Sequence, residues 1–179
     1  MVSLTLAKVT NCTRLSLASA LAKRERANWV FCSRQGSEKV MSAISTFKIA
    51  TDTSTIAIFD LKALEHRIDE DGDWWTSDLF PELEAELANS NLYLIDTSFD
   101  GLFEVSLFSA EEIEGESFIN CPSGRVHIVC GEEIPGEGLT PELLRGGYIH
   151  TVSPGKIKIA HTMDGYEVRI EVCQQQSTD

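Results

Sequence analysis

Lys156-Ile157-Lys158-Ile159-Ala160, the turn pair Asp164-Gly165, and Tyr166-Glu167-Val168-Arg169-Ile170-Glu171-Val172 are the stretch on which the fold is read. Charged and apolar residues alternate on both arms. Successive side chains of a strand point to opposite faces, so period two means one buried face and one wet face. Two such arms around an Asp-Gly turn form an antiparallel hairpin on the edge of a core.

The same patterning extends towards the N-terminus. Phe47 and Ile49, then Ile56 and Ile58, alternate on either side of Asp52-Thr53-Ser54, which predicts a hairpin. Leu92–Asp96 and Gly101–Ser109 read as strands joined through Phe99-Asp100-Gly101. Over 124–130, Val126, Ile128 and Cys130 alternate with Arg125, His127 and Val129. Residues 148–152 form a further strand, closed by Ser153-Pro154-Gly155. Short helices are expected at 61–68, with Asp60 as N-cap, at 81–88, opened by Pro81 with Asp78 nearby, and from Thr140-Pro141-Glu142 to Gly146-Gly147. Together these elements predict one α+β domain over 41–173, dominated by antiparallel sheet with two or three short helices, followed by a polar tail at 174–179.

Residues 1–40 have a different composition. They carry seven Lys/Arg against two Glu and are rich in Ser, Ala and Leu. Three readings are open. Arg and Ser enrichment fits a transit peptide, though not a secretory signal, because the apolar core is missing. Leu15, Leu17, Ala18 and Leu21 would line one side of a short helix. Alternatively Met41 is the natural start, and the preceding codons, around Ser37-Glu38-Lys39-Val40, include a purine-rich stretch resembling a ribosome-binding site. The third is preferred, with 1–40 a basic extension.

At 179 residues, 42% of them hydrophobic, the chain is long and apolar enough for one domain with a core. No apolar run approaches the roughly 18–20 residues that span a bilayer, so no membrane association is expected. Five cysteines, an odd number with no C-x-x-C pair, read as reduced thiols in the cytoplasm.

Charge is the strongest functional clue. Residues 69–137 contain eighteen acids and one base, Arg125. Removing the +5 of residues 1–40 from the whole-chain −13 leaves −18 on the rest. Nucleic-acid binding needs clustered Lys and Arg and is disfavoured. Such a field instead attracts basic proteins. The acids group at 69–73, 82–86, 111–116 and 132–137, beside Trp74, Trp75, Phe80, Phe118 and Ile134. Aromatic anchors among steering charges make a good protein-binding composition. The candidate partner-binding residues are therefore Asp69, Glu70, Asp71, Asp73, Trp74, Trp75, Glu111, Glu112, Glu114, Glu116, Glu132 and Glu133.

Catalytic patterns are weak by comparison. Asp69, Asp71 and Asp73 have the 1, 3, 5 spacing of a calcium loop, but Trp74 and Phe80 stand where that loop needs Gly and Glu. His66, His127, His150 and His161 form no zinc motif. Cys121-Pro122-Ser123-Gly124 reads as a turn before a strand rather than a nucleophile site. No P-loop, dinucleotide fingerprint or G-x-S-x-G is present, and no cofactor or metal is expected. The competing readings are a metal-dependent enzyme using Asp96, Asp100 and His127, and a non-catalytic scaffold subunit.

The stretch Thr51-Asp-Thr-Ser-Thr-Ile-Ala-Ile-Phe-Asp60, followed by Asp73-Trp74-Trp75, together with size and acidity, resembles bacterial immunity proteins paired with type VI secretion effectors, nuclease toxins among them. The resemblance covers about 41–172. It implies inhibition of a basic cognate toxin by direct binding, without catalysis, and assigns no individual inhibitory residue.

Overall fold

The computed structural model describes residues 43–76, 81–114 and 117–174. The readings that fall on 1–42, on Asp78 and Phe80, on Glu116 and on the tail beyond 174 lie outside them. Among the described residues nine strands form two sheets. In chain order the strands are β1 (Ala43–Thr51), β2 (Thr55–Asp60), β3 (Leu92–Asp96), β4 (Gly101–Ser109), β5 (Phe118–Cys121), β6 (Arg125–Cys130), β7 (Tyr148–Thr151), β8 (Gly155–Asp164) and β9 (Glu167–Gln174). One sheet runs β1-β4-β9-β8-β5 and the other β3-β2-β6-β7. Pairing is antiparallel except between β4 and β9, which are parallel.

The β8–β9 hairpin forms as its alternation predicts. Ile157, Ile159, Val168, Ile170 and Val172 are buried between the sheets, while Lys156 and Glu167 are exposed. The inner faces of both sheets meet in one core that also takes in Ile49, Ile56, Ile58, Phe103, Val105, Leu107, Val126 and Ile128.

The expected hairpin of β1 with β2 does not exist. β1 pairs with β4, and β2 pairs with β3 and β6. The turn at 52–54 carries the chain from one sheet to the other, with Thr51 Oγ1 accepting the Thr53 N–H at 3.1 Å. Ile49 and Ile56 then enter the same core from opposite sides. Alternation shows which face of a strand is buried and leaves its neighbour undetermined.

The four-stranded sheet is buried on both faces. Its outer face presents Ala57, Phe59, Leu92 and Val129 to a cover layer containing Leu64, Trp74, Trp75, Leu83 and Ile134. That second interface explains the unbroken burial of β2 from Ile56 to Asp60.

Helical content is lower than expected, with one α-helix among the described residues, α1 (Pro81–Ala88), and two 3-10 turns, at Glu65–Arg67 and Gly131–Glu133. α1 begins at its proline as predicted. It ends in a Schellman closure, with Ser90 at φ +60° and the Asn91 N–H donating to Glu86 O at 2.9 Å. At 61–68 the chain makes turns instead of a helix. Just beyond, the Ile68 and Glu70 carbonyls accept the Gly138 and Glu137 N–H groups, both at 2.7 Å, and so are committed to a neighbouring loop. The helix expected from Thr140 is also absent, because Leu143 sits at φ +58°, outside the right-handed helical region. Among the described residues no helix is long and apolar enough to cross a membrane.

Candidate partner-binding surface

Trp74 and Trp75, nominated as surface anchors, are buried in the structure. They are 4% and 8% exposed and belong to the cover layer. Trp74 Nε1 donates to the Pro135 carbonyl at 2.8 Å, and the Arg67 guanidinium lies 5.3 Å from its ring centroid. Trp75 packs on Gly131, where a Cβ would come within 2.5 Å of its Cη2. The cover layer shields an apolar sheet face, and the two indoles are its largest side chains, so burial wins over display.

Their burial fixes what stands beside them. Asp69, Glu70, Asp71 and Asp73 are exposed on the loop that the two tryptophans pin down. Asp71 Oδ1 accepts the Asp73 N–H at 3.2 Å, which shapes the turn. This loop touches the 135–138 segment: a Cβ on Gly72 would meet the Glu137 carboxyl carbon at 3.2 Å, and the Glu137 N–H donates to Glu70 O. Two clusters 60 residues apart in sequence thus merge, and the exposed Glu137, not among the nominated residues, joins the nominated acids. Its signal in the sequence was present, since it belongs to the 132–137 run.

The remaining nominees divide. Glu132 and Glu133 are half-buried and serve the chain itself. Glu132 accepts the Asp52 N–H and lies 3.6 Å from Arg145. Glu133 accepts the N–H groups of Glu142, Leu143 and Arg145 at 3.0, 2.6 and 3.1 Å. Glu111, Glu112 and Glu114 are exposed, but they flank Ile113, which packs with Phe108 and Ala110 on the outer face of the five-stranded sheet. The structure therefore places them on the opposite side of the sandwich from the 69–73 loop. In the 82–86 cluster, Glu86 turns inward, 2% exposed, and accepts from His66 Nε2, Arg67 Nε and Asn91 Nδ2 at 2.8, 2.9 and 2.7 Å. Burial pushes its carboxyl up, but the hydrogen bonds from Asn91, His66 and Arg67 outweigh that and hold it below the ordinary glutamate value.

The chemical alternatives do not assemble. Cys121, on β5 of the five-stranded sheet, lies in the core between the sheets, whereas His127, on β6 of the four-stranded sheet, stacks on Phe59 at 5.6 Å on that sheet's outer face. Burial, with the nearby Asp60 charge, pushes the Cys121 thiol up to about 12, the reverse of what a nucleophile needs. Asp60 itself is fully buried and holds the following turn, accepting the Ser123 Oγ–H at 2.7 Å and N–H at 2.8 Å. Asp96 faces Thr55 and His127 faces Phe59, four positions apart along β2 or about 13 Å. Asp96 accepts the Ser98 N–H and Asp100 the Ser54 hydroxyl. Among the described residues no three His, Cys, Asp or Glu side chains converge to hold a metal ion.

Burial makes three histidines, His127, His150 and His161, an acid-sensitive element. His127, with Nδ1 unpartnered, is held below its ordinary value by burial, with Arg125 adding to the effect; burial does the same to His150 and His161. Once unfolded they take up protons below about pH 6.5, whereas in the folded chain they resist. The unfolded state then binds more protons, so stability falls as pH drops below that point. Melting temperatures should decline from pH 7 towards pH 5.5, and His127→Phe, which keeps the stack on Phe59, should make the decline shallower. An equal slope in both proteins would remove His127 from this account.

No curated protein matches the chain in sequence. Two solved structures have a related shape. One is described as crocagin biosynthetic gene J, at 14% identity and TM-score 0.48, covering 74% of this chain and 98% of that one. The other is ComJ of Bacillus subtilis, described as an inhibitor of the DNA-degrading activity of NucA, at 6% identity and TM-score 0.42, covering 76% of this chain and 100% of that one. The sequence profile of DUF6386, a family of unknown function, matches residues 43–179, and the chain belongs to that family.

Proposed function

We propose that the chain is a cytoplasmic immunity protein that binds and occludes a basic toxin, a DNase effector delivered by type VI secretion, and so protects the cell that makes it. The observation that carries this reading is the union of the 69–73 acids with Glu137 on one face, beside two buried tryptophans of the cover layer. A nuclease must grip phosphate, so its active site is basic. A fixed acidic surface covers such a site and imitates the polyanion. Complementary fields raise association rates by roughly 10–10³-fold, which counts when a toxin must be caught before it cuts. Nothing in this role requires catalysis by the chain.

The test is to find a secreted toxin encoded beside this chain's gene and to co-express the two. The chain should restore growth and co-purify with the toxin, in a complex that weakens with salt. If neither rescue nor co-purification occurs, the reading fails.

A further inference from the structure

Leu144 and Leu139, 80% and 66% exposed, are the most exposed large hydrophobic side chains among the described residues. Both stand on the segment 137–147. Here the backbone is held from several sides. The Glu133 carboxylate takes three of its N–H groups. The N–H of Gly138 reaches Ile68 O, the Ala50 N–H reaches Arg145 O, and the Gly147 N–H reaches Lys48 O. Gly146 lies so close to β1 that a Cβ would meet Lys48 O at 2.1 Å. Glu137 and Leu143 are held at φ +51° and +58°, conformations that side-chain-bearing residues keep only when their surroundings impose them. The turn at Leu143 sends that side chain towards the cover layer and leaves Leu144 outside.

We propose that this loop is a preformed apolar anchor, with Leu139 and Leu144 entering recesses on a positively charged protein partner. The charge around it selects that occupant. Glu137 and Glu142 flank the leucines, and the Glu137–Glu70 contact continues into the 69–73 acids. The base of the loop, Arg145, is engaged by Asp52 at 2.6 Å and by Glu132. Nucleic acid, an anionic membrane and a second copy of this chain all carry the wrong sign. Apolar side chains presented without an ordering cost, inside a charged rim, are what binding hot spots require. The inference deepens the proposed function and rests on it for the class of partner.

The full chain is used as bait for displayed random peptides of about twelve residues, a length that suits groove and loop recognition. Selected peptides should combine Lys or Arg with a large apolar residue, and should lose about tenfold or more in affinity for a Leu139→Ser/Leu144→Ser double variant. That variant should melt with the parent, because both side chains are in solvent. Failure to enrich any peptide, peptides without basic residues, or equal affinity for the double variant would each overturn the anchor. So would a homodimer in sedimentation that the double variant dissolves. A toxin complex indifferent to the double variant but broken by reversing the 69–73 acids would end the anchor and leave the proposed function standing. Absence of any toxin complex would end that function, while the peptide result would still judge the loop.

Discussion

Replacing Asp69, Glu70, Asp71 and Asp73 by lysine should slow association with a basic toxin by about one to three powers of ten and flatten its salt dependence. The four side chains are exposed, so they act through the field in solvent rather than through desolvated pairs. Such a field reaches about 8–10 Å at ordinary ionic strength and collapses towards about 3 Å at 1 M salt. The wild-type rate should therefore fall steeply with added salt and approach that of the variant. Dissociation should change less, because rim charges act mainly on encounter. The amide version, Asn and Gln at the same positions, removes half as much charge difference and should fall between the two. It also keeps an acceptor at position 71 for the Asp73 N–H, so a disturbed turn can be told from a lost field. Rates unchanged in the reversal variant would take this loop out of the interface and shift attention to Glu111, Glu112 and Glu114 on the other side of the sandwich.

Strands of the five-stranded sheet were legible where they bury a single repeating face: Ile157 and Ile159 against Lys156 and Lys158 announce themselves at any position in the fold. Pairing was less legible. The parallel contact of β4 with β9 joins residues 60 and more apart, and nothing in Val105 or Val168 names the other. The turn Asp52-Thr53-Ser54 has the chemistry of a hairpin and makes a corner between sheets instead, because turn residues specify a reversal and not a partner. The 81–88 helix was legible from Pro81 and the first-turn acids, which act locally. The 140–146 helix was misread for the opposite reason. Its start signals are genuine, but Glu133, ten residues before Leu143, captures the backbone N–H groups and holds a left-handed turn. The acid clusters were visible as charge, while their division was not. Asp71 and Glu133 look alike in the sequence, and only packing makes one a solvated charge and the other a clamp on a loop.

The second large effect is expected at Trp74. If its indole is part of the core, Trp74→Ala opens a cavity between the cover layer and the four-stranded sheet, at about 3–5 kcal/mol. The Pro135 carbonyl also loses its donor, which adds about 1–3 kcal/mol if water cannot replace it. Domains of this size hold only about 5–15 kcal/mol in total, so the melting temperature should fall by roughly 10 °C or more. Trp74→Phe keeps most of the packing and loses only the indole N–H, so it should cost about 1–2 kcal/mol. The Leu139→Ser/Leu144→Ser variant makes the opposite control, with stability kept and partner affinity reduced. A surface anchor at Trp74 would reverse this pattern: Trp74→Ala would melt like the parent and bind its partner poorly. Denaturation and affinity measured on the same three variants therefore decide between the role that an acid-flanked tryptophan suggests in the sequence and the role that 4% exposure assigns to it in the fold.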